Sequence, residues 1–125
     1  MFGLFRKRQP TRTPSGPDLA PVILRDDVGP DDRRRLSARY ASNGDLLIEG
    51  QDIGKSVEVF FGFREYEWSW TVGQADHPKL LKALGSKKNL LSEIKARFSG
   101  DDAGLIEDFL KSHGVPYSFS NRLGD

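Results

Sequence analysis

Cysteine is absent from this sequence, methionine occurs once and histidine twice. Without cysteine there are neither disulfides nor thiolate metal sites, and a cytoplasmic setting is the expectation. His77 and His113 alone are too few for a typical imidazole-based metal site, so no cofactor is expected. No apolar run approaches the roughly 18 residues of a membrane span, so no transmembrane segment is expected either. Catalytic signatures are missing as well. "GQDIGKS" at 50–56 invites a phosphate-loop reading, but only Gln51, Asp52 and Ile53 separate its glycines, one residue short of the nucleotide-binding spacing. Neither histidine has a visible nucleophile beside it. Glu65 and Glu67 stand on an open strand with no cleft to separate their pKa values. The chain reads as a binding protein, not an enzyme.

What is present suits one domain. The 125 residues are 37% hydrophobic and 30% charged, with a net charge of +1. Residues 1–17, "MFGLFRKRQPTRTPSGP", are rich in proline, glycine and basic side chains and read as a disordered basic leader. Its Phe2, Leu4 and Phe5 beside Arg6, Lys7 and Arg8 offer marginal contact with an anionic surface at most. Residues 18–125 form the expected single domain. Its charge is segregated: residues 43–77 hold seven acids against Lys55 and Arg64, and residues 78–99 hold six bases against Glu93.

Periodicity supplies the elements. Residues 34–50 predict a β-hairpin, with alternating apolar positions on either side of Asn43-Gly44, a pair that tolerates positive φ. "PVIL" at 21–24 is a short strand or a segment pinned to the core, and "DDVGPDD" reads as a loop. Lys55–Phe61 fits one or two helical turns with Val57, Phe60 and Phe61 inward. "REYEWSWTV" at 64–72 is the clearest strand. Three helices follow: one capped by Asp76, one over 88–98, and one begun by Asp101 or Asp102 and ended by Gly114. "VPYSFS" closes the chain as a strand alternating Val115, Tyr117 and Phe119. The fold class is α+β: an antiparallel sheet of about four strands with helices packed on one face.

Strand parity then sets a question of orientation. Tyr66, Trp68, Trp70 and Val72 share one side of their strand, and Glu65, Glu67, Ser69 and Thr71 the other. Burying three such rings is worth on the order of 12 kcal/mol as an upper bound. Net stabilities are only about 5–15 kcal/mol, which favours the core over a stacking platform for single-stranded nucleic acid or a ligand. The carboxylates then face solvent. Glu65 and Glu67, joined by Glu49, Asp52 and Glu58, make the expected acidic surface for a basic protein partner. Lys79, Lys82, Lys87, Lys88, Lys95 and Arg97, with the leader, carry the alternative of nucleic-acid binding.

"NGDLLIEGQDIG", "FFGFREYEWSWTV", an Asp-x-Pro helix start, "IKARF" and the closing "HGVPYSFSNRLGD" resemble a group of small uncharacterised bacterial α+β proteins, over residues 40–125. Those proteins are similar to immunity proteins of bacterial toxin systems. The resemblance implies a non-catalytic inhibitor that docks on a toxin or effector domain. It brings no catalytic residues with it, and it leaves the oligomeric state open.

Overall fold

The computed structural model describes residues 20–85 and 89–124. The expected leader at 1–17, and Lys87 and Lys88 of the basic group, lie outside the described residues. Five strands run in the order of the chain, each antiparallel to its neighbour: β1 (Val22–Val28), β2 (Asp32–Tyr40), β3 (Leu46–Gly54), β4 (Glu65–Val72) and β5 (Ser118–Gly124). Helix α1 (Lys55–Phe61) links β3 to β4. Between β4 and β5 come α2 (His77–Leu84), α3 (Leu90–Arg97), a 3₁₀ segment (Gly100–Leu105) and α4 (Ile106–Ser112). The architecture is α+β with one more strand than expected. The additional strand is β1, which continues through Asp26 and Asp27. These acids look like loop residues, but on an edge strand they stay in water, where Asp26 accepts from Arg33 across the ladder.

Local chemistry sets the boundaries. In the hairpin loop Ala41 donates to Asp45 O at 2.8 Å, and Gly44 takes φ 90°. Asn89 accepts from Ser92 N–H at 3.0 Å and opens α3. Gly85, at φ 71°, ends α2 by donating to Leu81 O and Lys82 O. Pairing of β5 begins only at Ser118 and runs through "NRLG", later than the alternation from Val115 suggests. Val115 instead ends α4, donating to Leu110 O at 2.9 Å with its side chain buried.

The core lies between the helical layer and one part of one sheet face. Leu24, Leu36, Ala38, Leu46, Ile48, Trp70 and Val72 meet Leu80, Leu91, Ile94, Ile106 and Leu110. Along β4 burial is graded. Val72 and Trp70 are buried, Trp68 is partly buried against the core, and Tyr66 sits furthest from it with partial exposure. The expectation that all three rings are core therefore holds for the Trp70 end and weakens toward Tyr66. Phe119, expected inward, is 51% exposed, and no described helix covers β5.

Gly50 lies opposite Trp68 in the ladder. A Cβ built there would overlap Trp68 Cε2 and Cζ2, so the indole lies directly over the bare backbone. Gly50→Ala must displace the ring. It should destabilise the fold by ~1–3 kcal/mol, the range of overpacked sites. A urea midpoint unchanged from the parent would show that the contact is slack.

Candidate functional site

The ladder register assigns every strand side chain to a face. On the face away from the helices stand Arg33, Arg35, Ser37 and Arg39 of β2, Glu49 and Gln51 of β3, Glu65, Glu67 and Ser69 of β4, and Ser120 and Arg122 of β5. All of them except Arg33 and Glu65 line a shallow concavity of about 570 Å³. Glu49, Glu65 and Glu67 do share this face, as strand parity implied. They do not make it acidic, because Arg122 stands opposite Glu67, Arg39 reaches Glu49 diagonally, and Gln51 bridges Glu65 and Glu67.

Arg39 Nε donates to Glu49 Oε1 at 2.8 Å, and Arg33 grips Asp26 with two bonds of 3.0 and 3.1 Å. Arg122 Nε donates to Glu67 Oε1 at 3.0 Å. Gln51 Nε2 bridges Glu65 Oε2 at 2.6 Å and Glu67 Oε2 at 3.2 Å. Four arginines (Arg33, Arg35, Arg39, Arg122) thus balance Asp26, Glu49, Glu65 and Glu67. Each exposed pair is worth little in stability. Their effect is to cancel the long-range field that the acid count had suggested.

The other two predicted carboxylates lie elsewhere. Asp52 is on the opposite face, across the ladder from Arg34 and Tyr66. Its Oδ1 is 3.5 Å from Arg34 Nε, close enough for ion pairing but with no hydrogen bond to that buried atom. Burial pushes the Asp52 carboxyl above its ordinary range, against the pull of Arg34 and Arg25. Glu58 is on α1, exposed, 3.9 Å from Arg64. The five carboxylates therefore do not form one surface. A step of three between Glu49 and Asp52 changes the side of the strand, and Glu58 belongs to a helix.

Helix α1 supplies the feature that sequence reasoning missed. The helix starts directly off β3, with Gly54 in a backbone conformation of φ 129°. Gly54 has no capping side chain, so Asp32 of the neighbouring strand provides one. Its Oδ1 accepts from Ser56 N–H at 2.9 Å and its Oδ2 from the Ser56 hydroxyl at 2.8 Å. These two bonds, backbone first, hold Asp32 below the usual carboxylate range. Gly62, at φ 78°, ends the helix by donating to Glu58 O.

The two turns so confined turn only Val57 inward. Phe60 and Phe61 were expected beside it. Instead Phe60 is 84% exposed and Val59 77%, while Phe61 and Phe63 are also exposed. The helix is too short to direct four apolar side chains at the sheet, and it packs chiefly against β3 and β4. Phe61 stacks on Tyr66 at 5.1 Å, and Tyr66 on Trp68 at 5.3 Å. The aromatic row of β4 is thereby continued out of the core and onto the surface. Between α1 and β2 opens a cleft of about 250 Å³, lined by Arg34, Asp52, Ser56, Phe60 and Phe61 among others. "VEVFFGF" between Gly54 and Arg64 was the available signal: more apolar mass than two helical turns can hide.

The basic side chains of the helical layer are exposed where described: Lys79, Lys82, Lys95 and Arg97. Arg97 lies over the Phe109 ring at 4.8 Å, and exposed Asp101, Asp102 and Asp108 share the layer. Among the described residues no cluster of three or more His, Asp or Glu side chains could hold a metal ion. None of their helices is long and apolar enough to cross a membrane.

Fold and surface together define a small α+β protein with a charge-compensated open sheet face and an aromatic helix protruding at one end. No family model, curated protein or solved structure matches the chain.

The pKa directions give opposite pH signatures. Asp32 has a folded pKa below its unfolded value. The stability it contributes is present above the ordinary carboxylate range and is lost as pH falls through the depressed value. Asp52 has a raised folded pKa, so its contribution is present at low pH and is lost as pH rises. Asp32→Asn should be less stable than the parent at neutral pH, and the gap should be narrower at about pH 3, below the ordinary carboxylate range. Asp52→Asn should be at least as stable as the parent at neutral pH and lose any advantage on acidification. Urea midpoints at both pH values read the result, and a stability loss for Asp52→Asn at neutral pH would contradict the assignment.

Proposed function

We propose that this protein is a non-catalytic binding protein that docks on a protein partner through the aromatic surface of α1, acting in the bacterial cytoplasm as an immunity-type inhibitor of a toxin or effector domain. The observation that carries the docking reading is Phe60, 84% exposed on a helix whose one buried residue is Val57. Burying a phenylalanine contributes about 1.5–3 kcal/mol to a fold. Leaving Phe60, Phe61 and Phe63 in water forgoes several such contributions, in a domain whose net stability is of the order of 5–15 kcal/mol.

At roughly 200 Å² per ring, their exposed fractions amount to about 350 Å², within the range of the largest apolar patch on a typical monomer. Aromatic side chains of this kind are favoured anchors at protein interfaces. Glu58 and Arg64 beside the patch, and Asp52 and Arg34 in the adjoining cleft, supply a mixed polar rim. A short protruding helix with a ring at its tip suits insertion into a concave pocket, which is how a rigid inhibitor blocks an active site. The role as inhibitor of a toxin rests on the sequence resemblance and the absence of a recognised catalytic motif. The aromatic surface supports docking.

Co-expression with toxin-like products encoded next to the gene, scored for rescue and co-purification, tests the function. Phe60→Asp should leave the urea midpoint near that of the parent and weaken partner binding ~30-fold or more, the range of an interface hot spot. Glu65→Lys with Glu67→Lys separates the acidic reading from the aromatic one. Lost binding there, with Phe60→Asp unaffected, would return the interface to the open sheet face. Steeply salt-dependent retention on heparin would favour nucleic acid instead.

A further inference from the structure

The two sheet edges are built differently. β1 is blunted: its register slips between Ile23 and Arg25, and Asp26 and Asp27 stand exposed along it. A bulge and charges are the ordinary protection of an edge strand against further pairing. β5 has neither. Its pairing with β4 is regular from Ser118 to Gly124, it contains no proline, and Arg122 is its single charge. Every residue from Ser118 to Leu123 is exposed, so no described helix covers either face of this strand. No described strand pairs with its outer side.

We propose that β5 is a homodimer edge: two copies of this chain join their sheets by antiparallel pairing of β5 with β5 about a two-fold axis at Asn121. The strand is self-complementary about that residue. Phe119 and Leu123 lie two positions on either side of it, on the same face, and are 51% and 41% exposed. Pairing Asn121 with its own copy places Phe119 of one chain opposite Leu123 of the other, twice, as an isologous interface requires. Ser120 then faces Arg122 on the other side of the sheet. Moving the axis to Arg122 opposes two like charges, and moving it to Ser120 sets each Phe119 against a polar Asn121.

In the proposed register the row Tyr66–Leu123 of one copy runs directly into Phe119–Trp70 of the other. Each Phe119 thereby gains Leu123 of the other chain as a cross-strand neighbour. A seven-residue strand with two apolar side chains per copy falls short of the roughly 1,200–2,000 Å² of a standard interface. The dimer is therefore of the concentration-dependent kind. Pairing of β5 with β1 of another copy would generate open fibres, and the β1 bulge opposes it.

Sedimentation of the full chain across micromolar to millimolar concentration should show the mass rising from 14.0 kDa toward twice that value. Phe119→Lys should weaken dimerisation at least tenfold without moving the urea midpoint. Because the chain lacks cysteine, Asn121→Cys gives a single thiol that should cross-link to its own copy under mild oxidation. Ser118→Cys, about 20 Å from its mate in this register, should not. A constant monomer mass overturns the proposal. So does equal cross-linking of the two cysteine variants, or a dimer that survives Phe119→Lys but is lost in Phe60→Asp.

Discussion

The indole of Trp68 rests on the bare backbone of Gly50, and that contact marks the boundary between two halves of one sheet face. On one side the helices cover Leu36, Ala38, Ile48, Trp70 and Val72 and make the core. On the other side the sheet continues past the helical layer, carrying Tyr66, Asn121 and Leu123 toward α1 and water. A side chain at Gly50 would lift the ring and break the stack that runs from Trp70 through Trp68 and Tyr66 to Phe61. The same row of aromatics therefore does two jobs. Its inner end stabilises the fold, and its outer end props α1 in place with Phe60 and Val59 facing out.

The opposite face follows a separate logic. There the residues alternate in sign across the strands, so that each carboxylate meets a guanidinium or an amide: Glu49 with Arg39, Glu67 with Arg122, Glu65 with Gln51. Glu67 is held below the usual carboxylate range by hydrogen bonding with Glu65 first and with Arg122 second. Such a face is well solvated and carries little net field. It gives the chain a largely polar surface on one side, while the exposed aromatic rings gather at α1, the loop after it and the β5 edge.

Much of this was legible from residue order. The hairpin of β2 and β3 follows from alternation on either side of Asn43-Gly44, and β4 from the strict two-residue period of Glu65–Val72. The helices follow from their leucine spacing and from the stops at Gly85 and Gly114. What failed to show was anything set by register between strands. Arg39 and Glu49 are ten residues apart and Glu67 and Arg122 fifty-five, so the charge blocks of the chain do not survive folding as surfaces. Asp52 lies on the other side because it is three positions from Glu49, an odd step on a strand. Phe60 and Phe61 read as inward because hydrophobicity alone cannot tell how far a helical layer extends. β1 reads as ending at Leu24 because its acidic residues resemble a loop until an edge position, and the arginines of β2 across the ladder, account for them.

The central claim, that burial fades along β4 from Trp70 to the stack at α1, can be read from the two tryptophans separately. Iodide quenching is measured in Trp68→Phe, where only Trp70 emits, and in Trp70→Phe, where only Trp68 does. Trp70, 8% exposed, should be almost unquenched and Trp68 quenched severalfold more strongly. Equal protection of both rings would mean that the helical layer extends over the whole face, and the reverse order would mean that the sheet is covered at its other end. Either result would contradict the account.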